Sequence, residues 1–345
     1  MKIKILLYFS FFITLALLFI SASKQYYKPK PIAFITPKGF PKPSKNIFAN
    51  NTLTEEGFQL GKKLFYDTKL SSNGQVSCES CHQQYASFST YDHDLSHGIN
   101  DSFTTRNAPV LINLAWMNEL HWDGGINHLE VQPLAPITAP NEMGETLQNI
   151  IVKLKADEDY KAKFKAAFGD ANVTTQRILK ALAQYTGSLV SANSKYDKVK
   201  RGEATFIAPE QKGYEIFKAN CNVCHTEPLF TNNSFRNNGT TLNRFNDIGR
   251  QKITGNSSDS LKFKVPTLRN IGLSLPYMHD GSFSDIYKVI NHYANIDTTL
   301  KNLDPILQKK IALNAKEKGQ LALFLYTLTD TSFTRNKRFA FGAQN

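Results

Sequence analysis

Two copies of one five-residue motif, Cys-x-x-Cys-His, limit what this chain can fold into more than any other feature of its sequence. Residues 78–82 read Cys-Glu-Ser-Cys-His and residues 221–225 read Cys-Asn-Val-Cys-His, and together they contain all 4 cysteines of the 345-residue chain. The two thiols of each copy lie one helical turn apart, where they can form thioethers to the two vinyl groups of a haem, and the next histidine can bind the iron as its proximal ligand. The pattern therefore predicts two covalently bound c-type haems, the first on Cys78, Cys81 and His82 and the second on Cys221, Cys224 and His225.

Other uses of paired cysteines explain the sequence less well. Zinc knuckles would account for the cysteine pairs but not for a histidine directly after both of them. A dithiol oxidoreductase would need one such motif, and this chain has two. Nucleic acid is not an expected partner either, because the 41 Lys and Arg residues behind the formal charge of +12 are scattered and form no basic run.

The first residues have the pattern of an export signal. Two lysines are followed by an apolar run over residues 5–20 and then by three small residues. Residues 1–23 are therefore predicted to be a secretory signal peptide, with an uncleaved membrane tether as the alternative. Residues 24–48, rich in proline and lysine, are predicted to form an extended linker. The expected location is the periplasm, where c-type haem is attached.

The segments before the two motifs are similar to each other. Residues 54–65 and 208–217 both carry acidic residues near their start and end in Leu-Phe or Ile-Phe, and both are predicted to be short helices. This similarity favours duplication of one structural unit. Because few segments alternate with period two, the predicted fold is mostly α, with two cytochrome c-like haem domains related by internal duplication and with long loops.

The boundary between the two domains is predicted between the motifs. Thr174 caps a predicted helix with one apolar face, which is expected to end near Asn193. The polar segment 198–205 is predicted to be the domain linker. The N-terminal domain with the first haem would then span residues 49–197, and the C-terminal domain with the second haem would span residues 198–345.

Several strings of polar and aromatic residues lie between and after the motifs. Residues 106–109 read Arg-Asn-Ala-Pro, residues 121–125 His-Trp-Asp-Gly-Gly, residues 263–270 Phe-Lys-Val-Pro-Thr-Leu-Arg-Asn and residues 276–281 Pro-Tyr-Met-His-Asp-Gly. In these strings and their order the chain resembles the bacterial dihaem cytochrome c peroxidases and their relative, the methylamine-utilisation protein that matures tryptophan tryptophylquinone. The resemblance runs from about Leu53 to about Tyr293.

The resemblance implies a catalytic pocket at the first, peroxidatic haem. Gln132, Pro136 and Glu142 match the family's distal pocket, and Trp122 matches an electron relay between the two haems. Heterolytic cleavage of H₂O₂ needs a group that takes a proton from one peroxide oxygen and gives it to the leaving one. Glu142 is the candidate for that role, and Gln132 is the candidate for positioning the peroxide.

The resemblance also implies a Ca²⁺ ion between the domains. Asn107, Ser274 and Pro276 match the positions that bind it, although serine replaces the family's commoner threonine. A side-chain oxygen and two backbone carbonyls are donors that suit this ion.

The distal iron ligands depart most from the family pattern. At the first haem, His97 is the candidate for a distal ligand in a mobile loop, and His93 is its rival. At the second haem, which would exchange electrons, Tyr293 matches the ligand position, as in the quinone-maturing relative, and Met278 is the alternative. A phenolate favours oxidised iron, whereas a thioether raises the reduction potential.

The leading functional hypothesis is an exported dihaem peroxidase of the cytochrome c peroxidase type. It would reduce H₂O₂ to water with electrons from a small donor protein of the cytochrome c or cupredoxin type. One alternative is peroxide-driven oxidation of a protein or small-molecule substrate through high-valent haem. The other is a dihaem electron carrier without catalysis, and a homodimer is left open.

Overall fold

A computed structural model describes residues 28–342, and within this range the fold is mostly helical, as predicted. Between the first motif and residue 134 the chain forms only short 3₁₀ turns and loops. The one sheet found in the described range is a two-stranded antiparallel pair, β1 (Phe235–Arg236) and β2 (Phe263–Lys264). The α-helices are α1 (Glu55–Tyr66), α2 (Cys78–Cys81), α3 (Leu134–Thr138), α4 (Leu147–Lys155), α5 (Glu158–Phe168), α6 (Thr175–Gly187), α7 (Lys195–Lys200), α8 (Ala208–Asn220), α9 (Gln251–Thr254), α10 (Ile286–Ala294), α11 (Ala315–Tyr326) and α12 (Thr331–Thr334).

The first apolar core forms where α1 packs against α6. Thr54 and Thr174 cap the two helices, because each side chain accepts a hydrogen bond from a backbone amide of the first turn. The helices cross closely at Gly61, where an added Cβ would lie only 1.9 Å from the carbonyl oxygen of Ala181. Any larger residue at position 61 would therefore push the two helices apart.

The second apolar core repeats this arrangement with α8 and α11. An added Cβ on Gly213 would lie 1.9 Å from the carbonyl oxygen of Gln320, so glycine again permits the close crossing. Phe217 and Phe324 are fully buried beside it. The helix before each haem motif is thus held in the same way, although the internal duplication itself stays a prediction.

The segment between the two cores is more ordered than the sequence indicated. The helix predicted to end near Asn193 ends at Gly187, and the predicted linker 198–205 begins inside α7. A capping box between Ser194 and Asp197 starts α7, and the Asp197 carboxylate also accepts two hydrogen bonds from the buried Arg269 at 2.8 and 2.9 Å. This tertiary contact, which local sequence does not reveal, fixes the segment.

The predicted signal peptide, residues 1–23, lies outside the described residues, as does the start of the predicted linker. From residue 28 to residue 48 the chain is extended and lies against the first core, where Trp116 donates a hydrogen bond from Nε1 to the carbonyl of Pro41 at 2.7 Å. Among residues 28–342, no helix has the length and apolar character needed to cross a membrane.

Candidate active site

The first Cys-x-x-Cys-His motif lines a cavity of about 570 Å³. Cys78 and Cys81 stand at the two ends of the single turn of α2, on one helix face, and His82 follows as its C-cap. Cys78 and Cys81 form no disulfide with each other or with another described cysteine. All three predicted haem-binding side chains therefore face one space, of a size typical of cofactor sites.

The second motif lines a second cavity of about 590 Å³, which adjoins the first and shares lining residues with it, among them His82 and Gln132. Here residues 221–225 form a hydrogen-bonded turn, in which the amides of Cys224 and His225 both donate to the carbonyl of Cys221. Cys221 and Cys224 likewise form no disulfide with a described cysteine. The arrangement matches that of the first motif.

Both motif histidines are prepared to bind a metal. His82 Nδ1 lies 2.8 Å from the carbonyl oxygen of Phe88, and His225 Nδ1 lies 3.1 Å from that of Pro266. Because a carbonyl only accepts, Nδ1 carries the proton and Nε2 keeps its lone pair. Desolvation lowers the pKa of each histidine to about 4, so both are neutral near pH 7. Two adjacent thiols and one such imidazole in each cavity fit a covalently attached haem.

Glu142 supplies an unpaired carboxylate in the first cavity. No described residue donates a hydrogen bond to this side chain, and desolvation raises the pKa of Glu142 above its usual value. The cavity's other carboxylates, Asp123 and Asp247, are both ion-paired with Arg106. Glu142 is thus the lining carboxylate whose charge is not already neutralised.

A rigid turn holds Glu142 beside the other predicted distal residues. Pro136 lies in α3, and its carbonyl accepts a hydrogen bond from the amide of Met143 at 3.1 Å. The amide of Glu142 donates to the carbonyl of Ala139 at 3.0 Å. Gln132, just before α3, also lines the first cavity. The three predicted residues Gln132, Pro136 and Glu142 therefore meet in one place.

The predicted distal ligand His97 does not line the first cavity with Gln132, Pro136 and Glu142. Neither His97 nor its rival His93 lines either cavity. The His97 ring is exposed and lies 5.2 Å from that of His93 and 4.6 Å from that of Phe103. The structure thus does not support either histidine as a distal ligand in this conformation.

Hydrogen bonds to the Glu142 turn keep the His97 loop in this position. The amide of Ile99 donates to the carbonyl of Glu142 at 2.8 Å. Ser102 Oγ donates to the carbonyl of Asn141 at 3.0 Å, and Asn141 Nδ2 donates to the carbonyl of Phe103 at 2.9 Å. A movement of this loop into the cavity would break these bonds, which all involve loop residues that follow His97.

We expect His97→Gly to leave the optical and EPR spectra of the oxidised first haem unchanged. The side chain removed is exposed and lies outside the first cavity, so its loss removes no iron ligand. His93→Gly is the matched variant and should behave in the same way. A conversion of the first haem from low-spin to high-spin in His97→Gly would show instead that the loop closes on the iron.

Trp122 lies between the two cavities and lines both of them. Its Nε1 donates a hydrogen bond to the carbonyl of Asn107 at 2.8 Å, and its own carbonyl accepts one from the amide of Lys264 at 2.7 Å. The first half of the chain thus holds the indole of Trp122, and the second half holds its backbone. This is the position that an electron relay would occupy.

Arg106 joins the halves, although the sequence assigned it no role. It binds Asp247 from Nε at 2.6 Å and Asp123 from Nη1 at 2.6 Å, with all three side chains mostly buried. Asp247 is 141 residues away along the chain. The sequence signal that could have drawn attention to Arg106 was its position at the start of the Arg-Asn-Ala-Pro string.

Tyr293 and its alternative, Met278, both line the second cavity. The apolar face of α10 turns Tyr293 towards this cavity, because Ile286 and Ile290 on the same face are buried. Desolvation raises the pKa of Tyr293 to about 12, and a hydrogen bond from Asn238 acts in the opposite direction. The contact of Asn238 Nδ2 with the sulfur of Met278 at 3.4 Å was missed from the sequence, where an isolated Asn in a loop carries no signal.

The three residues predicted to bind calcium, Asn107, Ser274 and Pro276, all line the second cavity as well. Asn107 comes from the first half of the chain and the other two from the second half. Its Nδ2 donates to the carbonyl of Asp94 at 3.1 Å, which fixes the side-chain amide. The calcium site itself stays a prediction.

Known proteins with similar sequences fit this arrangement. Residues 55–205 match the family described as di-haem cytochrome c peroxidase. The methylamine utilization protein MauG of Methylorubrum extorquens is 33% identical over 315 residues, which are 89% of this chain and 86% of that protein. The chain belongs to the di-haem cytochrome c peroxidase family. Cytochrome c551 peroxidase of Nitrosomonas europaea, another relative, is 33% identical over 79% of each chain.

Solved structures of similar proteins agree with this family. A MauG-like protein associated with microbial copper homeostasis has a TM-score of 0.79 and 33% identity, over 90% of this chain and 99% of that one. The diheme peroxidase BthA from Burkholderia thailandensis has a TM-score of 0.73 at 19% identity, which supports the fold alone. The predicted family and the predicted enzyme class, a haem peroxidase, are confirmed, and a di-haem family implies two c-type haems.

Proposed function

We propose that this di-haem family member reduces H₂O₂ to two water molecules in its first cavity. The observation that carries the proposal is the unpaired Glu142 carboxylate in the same cavity as the metal-binding nitrogen of His82. An electron carrier needs no proton-transfer group beside its iron. This carboxylate therefore favours catalysis over electron transfer alone.

The residues of the first cavity handle the protons of the reaction. A haem held by Cys78, Cys81 and His82 would supply the redox-active iron from which the peroxide bond receives electrons. Glu142 accepts the proton of one peroxide oxygen and gives it to the other, so that this oxygen leaves as water. Gln132 is placed to hydrogen-bond the peroxide, and Pro136 limits the space around it.

The second cavity has a different lining that suits electron exchange. No Asp or Glu occurs among the described residues that line it, so it lacks a counterpart of Glu142. Trp122 lies against both cavities and is the proposed route for electrons between them. Proton transfer is thereby assigned to the first centre and electron exchange to the second.

A small protein of the cytochrome c or cupredoxin type is the proposed electron donor. Lys309 and Lys310 are exposed and line the second cavity, and the charge of Lys310 also acts on Asp297. Exposed lysines at this cavity would attract an acidic partner. A periplasmic location and a bound Ca²⁺ ion complete the proposal, supported by the export signal and by the positions of Asn107, Ser274 and Pro276.

A second candidate function is peroxide-driven oxidation of a protein or small-molecule substrate. Tyr293 at the second cavity favours it, because a phenolate ligand stabilises oxidised iron and so suits the storage of oxidising equivalents. Two relatives that are 33% and 34% identical to this chain carry the name methylamine utilization protein MauG. Both candidates share the same reaction at the first cavity and differ in the source of the electrons.

The stoichiometry of donor oxidation tests the proposal. We expect the protein with both haems to oxidise two molecules of a reduced one-electron donor, such as a small cytochrome c, for each H₂O₂ consumed. Omission of the donor should stop peroxide consumption after the first turnover. Sustained consumption without donor, coupled to oxidation of another added substrate, would favour the second candidate. If no peroxide is consumed under either condition, the protein is instead an electron carrier without catalysis.

A further inference from the structure

The second cavity is lined by cationic and hydrogen-bonding side chains without a carboxylate to pair with them. No Asp or Glu occurs among the described residues that line it, whereas Lys264, His121 and His279 all do. The Nε2 atoms of both histidines are buried and have no hydrogen-bond partner among the described residues. Because buried polar groups and charges are normally paired, this lining fits a group that brings its own negative charge. The two propionate carboxylates of a haem are such groups.

Lys264 is a cation of this cavity that forms no salt bridge with a described residue. The charges of Glu119 and Asp123 act on it, but each of these carboxylates forms its salt bridge with an arginine. Desolvation lowers the pKa of Lys264 to about 8, so the ammonium is still charged near pH 7. An anion bound beside the ammonium would offset its loss of solvation.

Two hydrogen bonds hold Lys264 alongside residues 119–122. Its amide donates to the carbonyl of Trp122 at 2.7 Å, and its Nζ donates to the carbonyl of Glu119 at 2.9 Å. Nζ also lies 3.7 Å from the sulfur of Met117, which is a weak acceptor. An ammonium has three N–H groups, so one of them remains for a further acceptor.

His121 lies within the segment that Lys264 holds, and it lines both cavities. Its backbone φ is +63°, which a non-glycine residue rarely adopts, and such conformations cluster at functional sites. Desolvation lowers the pKa of His121 below its usual 6.5, and the charge of Lys264 acts in the same direction, so the imidazole is neutral near pH 7. With the proton on Nε2, this ring can donate the hydrogen bond that the buried Nε2 lacks.

We propose that Lys264 and His121 bind one propionate carboxylate of the second haem and so fix that haem against Trp122. This inference rests on the proposed function, in which the second haem exchanges electrons through Trp122. The carboxylate accepts a hydrogen bond from each of the two side chains and gives Lys264 the counter-charge that the described residues do not supply. Because the amide of Lys264 bonds the carbonyl of Trp122, a single residue contacts both the haem and the proposed electron route.

The reduction potential of the second haem, measured in the protein with both haems, tests this site. Lys264→Met removes the cation but keeps a side chain of similar length. The propionate charge is then uncompensated and stabilises ferric iron, so the potential should fall. At a fixed applied potential we expect the ferrous-to-ferric ratio of the second haem to drop about tenfold. The propionate bending band in the resonance Raman spectrum should shift, and the potential of the first haem should stay near its parental value.

Three further variants make the outcomes distinct. Lys264→Arg keeps the charge and should keep the parental potential of the second haem. His121→Phe keeps an aromatic ring but loses a neutral donor, so it should lower the potential by less than Lys264→Met does. Lys310→Met removes an exposed lysine that lines the same cavity, and because solvent screens this charge, its effect should also be the smaller one.

Three results would overturn the propionate site. They are an unchanged potential and Raman band in Lys264→Met, a change confined to the first haem, and equal falls in Lys264→Met and Lys310→Met, which would reflect net charge alone. These readouts need no H₂O₂, so they are independent of the donor-oxidation experiment that tests the proposed function.

Discussion

We expect Glu142→Gln to lower H₂O₂ turnover by a factor of about 10² or more while both haem spectra stay unchanged. Glutamine matches glutamate in size but cannot take up the peroxide proton. The first cavity offers no substitute, because Asp123 and Asp247, its other lining carboxylates in the described range, are held by Arg106. The initial rate of peroxide consumption with excess reduced donor measures the effect.

Glu130→Gln is the matched control for this variant. Glu130 precedes the distal residues in the chain but lines neither cavity, so its neutralisation should leave turnover near that of the parent. A Glu142→Gln variant that turns over within about threefold of the parent would show that Glu142 does not transfer the proton.

The pH dependence of turnover provides a second readout of the same group. Desolvation raises the pKa of Glu142 above its usual 4.5, and the deprotonated form is the one that accepts the peroxide proton. The value of kcat/KM for H₂O₂ should therefore fall as the pH is lowered through this raised pKa. The acidic limb should lie above pH 4.5 in the parent and should be absent in Glu142→Gln.

Local patterns in the sequence predicted the parts of this molecule that local forces determine. The spacing within each Cys-x-x-Cys-His motif brings two thiols and an imidazole together within a single turn, and each set lines a cavity. Ile286, Ile290 and Tyr293 have the spacing of one helix face, and α10 presents this face with both isoleucines buried. Thr174 caps α6 as its position before an amphipathic segment indicated.

The remaining features depend on contacts between residues that are distant in sequence. The orientation of His97 follows from the hydrogen bond between Ile99 and Glu142, a pairing that no periodicity encodes. The ordered helix α7 depends on Asp197 and its partner Arg269, 72 residues away. The contact between Asn238 and Met278 in the second cavity joins residues that are 40 positions apart. Such features need the three-dimensional structure.

Tyr293 decides between the two candidate functions, so its replacement should have the second large effect. We expect Tyr293→Phe to convert the second haem from low-spin to high-spin and to raise its reduction potential, because phenylalanine keeps the ring but removes the ligand oxygen. Optical and EPR spectra with a redox titration measure both changes. Tyr287→Phe is the matched control, because Tyr287 lies on the same helix but is 47% exposed and lines neither cavity.

The consequence for function follows from the same substitution. If phenolate ligation serves to store oxidising equivalents, the oxidised state formed after peroxide addition should decay faster in Tyr293→Phe than in the parent, and oxidation of a slow substrate should fall with it. Reduction of peroxide by a fast donor should then be less affected, since it needs no such storage. A Tyr293→Phe variant with the parental second-haem spectrum and full activity would show that this tyrosine only packs beside Ile290. That result would favour the ordinary peroxidase, with electrons supplied by a donor protein through Trp122.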